Sequence, residues 1–145
     1  MHPRIQEVLD YITAERTVLR AAVDGVPRDR RQHRPAPERW SVAEVLEHLA
    51  VVESRVAHLF AMLLAEARAN GLAADPETSP VVPTLDMRYL LDRENVVVAP
   101  EVLHPRAGLD ADAAWSALER SRDALRAAVL AGDGLALGTI TRPHP

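Results

Sequence analysis

The sequence predicts an all-α fold, and three observations carry that prediction. Apolar residues recur at three- and four-residue spacing through three long stretches, the mark of amphipathic helices. The eleven prolines and six glycines fall between those stretches, where their backbone constraints are tolerated. Aromatics are limited to Trp40, Trp115, Tyr11, Tyr89 and Phe60, so the core is built from Leu, Val and Ala, a mixture that suits closely packed helices. A chain of 145 residues with 48% apolar content is large enough for one core, and residues 1–145 are read as a single domain.

The first helix is predicted over Arg4–Asp24, with Ile5, Val8, Leu9, Ile12, Leu19 and Val23 on its inner side and Gly25 placed to end it. A loop rich in Pro and Arg follows. The second helix opens with Ser41 and Glu44, whose spacing is that of a capping box, and runs to about Asn70 before Gly71. Its apolar face carries Val45, Leu46, Leu49, Val52, Val56, Leu59, Phe60, Leu63 and Leu64. Residues 72–108 hold five prolines and read as an ordered crossover, with a short helix over Leu85–Glu94 and an extended run at Val96–Ala99. A lone strand there has nothing to pair with. The third helix starts at Asp110 or Asp112, either of which can cap it, and ends at Ala131 before Gly132. Ala114, Leu118, Ser121, Leu125 and Ala128 form its narrow inner stripe, which admits a close neighbour.

Composition excludes several classes of function. With no cysteine there is neither a disulfide framework nor a thiolate zinc site. Met1-His2-Pro3-Arg4 does not begin a signal peptide or an apolar anchor, which points to a cytoplasmic protein with no membrane role. The net charge of −4 argues against nucleic acid as a partner. All basic residues are arginine, and the densest group, Arg28 to Arg39, is interleaved with acids and prolines and reads as a solvated loop. There is no Gly-rich phosphate loop, no nucleophile elbow and no His-Glu-x-x-His.

His48 is the candidate functional residue. It sits at the flank of the apolar face of the second helix, where a half-buried imidazole needs a partner, and it can serve either as a packing histidine or as a ligand. Glu44 lies one turn earlier and can share a metal with it, although capping is its simpler use. His58 is ten residues further on, too far along the axis to share an ion with His48, and His2, His33, His104 and His144 read as surface positions. Glu53 falls on an apolar face and calls for a buried arginine, for which Arg16 is the expected mate.

The run Glu38-Arg39-Trp40-Ser41-Val42-Ala43-Glu44-Val45-Leu46-Glu47-His48-Leu49 resembles the second-helix signature of the DinB-like superfamily. The crossover segment Asp92-Arg93-Glu94 to Ala99-Pro100-Glu101, and Leu118 to Leu125 with Arg122, resemble the same family more weakly. The resemblance implies an antiparallel four-helix bundle with a long crossover between the second and third helices, often dimeric. It implies a divalent metal, zinc or nickel, held by one histidine from the second helix and two from the fourth. His48 matches the first of these; the other two have no counterpart here, and the fourth helix is read as truncated or absent. Some members are S-transferases using a low-molecular-weight thiol such as mycothiol or bacillithiol, and others are hydrolases or isomerases. The function expected from the resemblance is therefore a metal-dependent enzyme, such as a thiol S-transferase, acting on a small-molecule substrate as a homodimer. The rival expectation is a metal-free helical module that binds a small apolar ligand or a partner helix through its inner face.

Overall fold

The computed structural model describes residues 1–88 and 98–141. Three long helices make the fold: α1 over Pro3–Asp24, α2 over Val42–Ala69 and α3 over Ala111–Ala131. Short 3₁₀ turns at Arg28–Arg30, Val82–Thr84, Glu101–Leu103 and Leu137–Thr139 punctuate the connections. No strand forms among the described residues; one antiparallel bridge joins Ala74 to Leu135. The helix expected over Leu85–Glu94 lies outside the described residues beyond Arg88, and so do Val96 and Val97 of the extended run Val96–Ala99.

The helix boundaries follow from local chemistry. Ser41 Oγ accepts the Glu44 N–H at 3.2 Å while Glu44 Oε2 accepts the Ser41 N–H at 2.8 Å, so the predicted capping box is complete. Of the two caps possible for α3, Asp110 is the one used, its Oδ1 accepting from the Ala113 N–H at 2.7 Å. Gly71, just past the Asn70 cap of α2, takes φ +80, a conformation that other residues adopt only at a cost. Gly25 ends α1 in ordinary right-handed geometry (φ −67), so its position there does not depend on being glycine.

The long crossover decides the topology. Leu46 packs with Ala114, Ser121 reaches Glu53, and the Arg68 guanidinium donates to the Ala131 carbonyl, so α2 and α3 run parallel, with α1 antiparallel to both. The α2–α3 interface is by far the most extensive, and small residues line it: Ala43, Ala50, Ala57, Ala114 and Ser121 are all buried. Around this pair one apolar cluster joins Val23, Leu46, Ala50, Ala114 and Leu118, and a second joins Ile5, Leu9 and Val129 at the other end of α1.

The apolar face of α2 is wider than α1 and α3 cover. Val45, Val56 and Leu59 remain 39%, 48% and 50% exposed. By length and composition α2 is the one helix among the described residues that is apolar enough to cross a bilayer, with a mean hydropathy of 1.4 over its best window. Glu53 and Arg55 stand in the middle of that helix, where hydrocarbon would be a costly surrounding, so the apolar face is better matched to helix packing.

The basic loop is more ordered than a solvated run. Arg31 is buried, its Nε donating to the Val26 carbonyl, and Arg34 pairs with Glu44. That pairing and the capping bonds hold the Glu44 carboxyl down at about 2, well below its ordinary 4.5. A lowered folded-state pKa contributes stability above the unfolded value that is lost as pH falls through the folded one. Stability should therefore decline between pH about 4.5 and about 2, and Glu44→Gln should flatten that decline in urea titrations. In the same assay Ser41→Ala should cost about 1 kcal/mol, and Leu46→Ala, which empties a fully buried site, about 2–5 kcal/mol.

Candidate functional site

The N-terminal end of α2 and the last part of the crossover form one junction. Trp40 precedes the cap of α2, Glu47 and His48 lie in its second turn, and residues 99–109 pass over them. His48 is half-buried, and its Nδ1 lies 2.7 Å from the Leu103 carbonyl oxygen. A carbonyl only accepts, so Nδ1 carries the proton and Nε2 is left with the lone pair. The Trp40 ring packs against the same imidazole, with centroids 4.9 Å apart, and against His104 at 5.6 Å in an edge arrangement. His104 in turn donates from Nε2 to the Ala99 carbonyl at 2.8 Å.

Glu47 holds the next part of the crossover. Its carboxylate is buried and accepts the backbone N–H groups of Arg106 at 2.5 Å and Ala107 at 2.7 Å, with a longer bond from Leu109 at 3.5 Å. Backbone donors satisfy a buried carboxylate without a cationic side chain.

Below this junction an ion cluster occupies the bundle interior. Glu53 receives Arg16 of α1 at 2.9 Å, Arg122 of α3 at 2.7 Å and the Ser121 hydroxyl at 2.7 Å. Arg122 also donates to the Ile12 carbonyl at 2.6 Å, and Glu119 lies 3.7 Å from Arg16. The predicted Arg16–Glu53 pair is present, and Arg122 enlarges it. Above the cluster lies an open cleft of about 320 Å³ between α1 and α2, lined by Leu19, Leu49, Val52, Val56, Leu118 and Leu125.

The remaining sequence candidates disperse. Glu44 is committed to capping and to Arg34, not to His48. His58 is exposed further along α2, His33 is exposed in the loop, and His2 occupies the N-cap position of α1, its backbone N–H donating to Asp133. His144 lies outside the described residues. His104, read from sequence as a surface position, instead belongs to the junction; its neighbour Pro105 gave no sign of this. The donor set fits a metal at one position, His48 Nε2, and does not complete a site: among the described residues no group of three or more His, Asp or Glu side chains is arranged to hold an ion.

Three long helices with a crossover between the second and third make this an all-α crossover bundle. A model of the DinB superfamily matches residues 11–145, and the chain belongs to that superfamily. Neither a curated protein nor a solved structure matches it.

Removing one partner from a buried ion cluster strands the others. Glu53→Ala should therefore lower stability by about 3–5 kcal/mol, read by urea unfolding. Replacing Arg16, Glu53 and Arg122 together with Met, Leu and Met should cost much less, since no uncompensated charge is left inside.

Proposed function

We propose that the protein is a metal-dependent enzyme of the DinB superfamily in which His48 Nε2 ligates a divalent ion, zinc or nickel, with the remaining ligands supplied from outside the described residues. The observation that supports this is the bond from His48 Nδ1 to the Leu103 carbonyl. Ligating histidines generally donate their other ring nitrogen to a carbonyl or carboxylate, which fixes the tautomer and aims the lone pair. A bound divalent ion supplies Lewis acidity and favours the ionised form of a thiol. The reaction we assign is S-conjugation of a low-molecular-weight thiol such as mycothiol or bacillithiol: the thiol loses its proton to solvent, its sulfur bonds to an electrophilic carbon of a small-molecule substrate, and the substrate's leaving group departs with the electron pair of the broken bond. The chain's own part is to orient His48 with Trp40 and the crossover; the largely aliphatic cleft over the Glu53 cluster begins at Leu49, the next residue along α2. The exposed Val45, Val56 and Leu59 support association as a homodimer. We place the protein in the cytoplasm, with neither nucleic acid nor a membrane as partner.

A second reading draws on the same cleft. A metal-free module would use the aliphatic lining of Leu19, Leu49, Val52 and Val56 to take a small apolar ligand or a partner helix. The absence of a three-ligand group among the described residues favours it.

Elemental analysis of protein purified without chelator separates the two. The metal reading expects about one zinc or nickel per chain, lost in His48→Ala while the circular dichroism of the helices is kept. Protein that carries no metal, and takes up none on addition of zinc or nickel, would sink it in favour of the module.

A further inference from the structure

The residues that face His48 are Trp40 and the crossover, and the crossover is held by His48's own neighbour in sequence. Leu103, whose carbonyl accepts from Nδ1, lies three residues before Arg106, the first of the backbone donors to Glu47. The intervening turn is short and internally bonded: the Leu103 N–H donates to the Pro100 carbonyl at 2.8 Å and the His104 N–H to that of Glu101 at 3.1 Å. Arg106 closes it further, its guanidinium donating to the Glu101 carbonyl and carboxylate at 3.1 Å each. Between Leu103 and Arg106, Pro105 restricts the backbone of both itself and His104. The segment thus moves as a small stiff unit, and what fixes one end fixes the other.

Glu47 fixes that end from the buried side of α2, with two short bonds to successive N–H groups. Among the described residues no other side chain bonds to those two N–H groups. The carboxylate is buried to 5% exposure, and its short bonds go to loop backbone and not to an arginine, so the loop is what it holds.

We propose that Glu47 is a positioning residue for His48: by gripping the N–H groups of Arg106 and Ala107 it holds the Leu103 carbonyl against Nδ1, and so keeps the imidazole in the Nδ1–H tautomer with its lone pair on Nε2. This deepens the reading of His48 as a ligand, on which its functional meaning rests, while the geometry itself requires no metal. The two neighbouring residues divide the task. Glu47 sets where the carbonyl stands, and His48 responds with the choice of nitrogen that bears the proton.

The test is ¹⁵N nuclear magnetic resonance of the metal-free full chain labelled at histidine, at alkaline pH, where two-bond couplings distinguish the tautomers. Amide hydrogen exchange at Ala107 is followed in parallel. Wild type should show His48 protonated at Nδ1. Both short bonds end on Glu47 Oε1, so Glu47→Gln keeps the volume and can set its amide oxygen there, but it replaces charge-assisted bonds with weaker neutral ones and turns its NH₂ toward the Leu109 N–H. It should shift the tautomer ratio toward Nε2–H by about 2- to 10-fold, and Glu47→Ala should shift it further. If Glu47→Ala does not fold, Glu47→Gln alone decides. An Nδ1–H form that persists while Ala107 exchange accelerates would make Glu47 a loop anchor only and overturn the proposal, as would a wild type already protonated at Nε2. Metal uptake is read separately, by elemental analysis of the same protein after zinc or nickel is added back, so a chain that takes up no metal while its tautomer still shifts defeats the ligand reading and leaves this one standing.

Discussion

Three helices meet at one carboxylate. Glu53 of α2 takes a guanidinium from α1 and a guanidinium and a hydroxyl from α3, all inside the bundle, and each partner is itself largely buried. Such a cluster tolerates no slippage, because moving any helix by one turn would leave a charge in the interior with nothing to answer it. It therefore sets the register in which Leu46 meets Ala114 and Ile5 meets Val129. The apolar contacts provide the attraction and are forgiving of direction; the charges make one alignment the cheap one. Alanine and serine along the α2–α3 seam allow the approach that brings Ser121 within reach of Glu53.

A parallel α2–α3 pair has a second requirement, that the chain travel back the length of the bundle before α3 begins. The crossover that does so ends against the first turns of α2, and this places Leu103 and residues 106–109 over Glu47 and His48. The candidate site is thus a by-product of topology as much as of local sequence. A hairpin between α2 and α3 would have left His48 facing solvent with both ring nitrogens free. Membership of the DinB superfamily fits this arrangement, and the chemistry proposed for it begins from the one nitrogen that the crossover leaves unprotonated.

Much of this was legible in the sequence because its causes are local. Helix starts are written in side chains that reach only a few residues, as with Ser41 and Glu44, and helix faces in a periodicity that survives any tertiary context. The Arg16–Glu53 pair was readable because each residue interrupts an apolar stripe. Arg122 was not assigned to it, since α3 alternates Glu119, Arg120, Arg122, Asp123 and Arg126, and nothing in that order says which one turns inward. Glu47 was hidden for a different reason. Its partners are backbone N–H groups, which every residue but proline possesses and which leave no mark on the sequence. His104 failed in the same way, its role depending on a ring that lies far away in the chain. Of the site, the ligand candidate could be named from sequence and its bracing could not.

The two tryptophans of this chain sit in unlike company. Trp115 lies beneath the guanidiniums of Arg16 and Arg20, at 5.7 and 4.7 Å, while Trp40 is flanked by two imidazoles. One indole is thereby tied to the α1–α3 contact and the other to the seating of the crossover on α2. The chain carries its own pair of optical gauges, and a single Trp115→Phe exchange would leave the emission of Trp40 to report, without any added label, whether the crossover is docked.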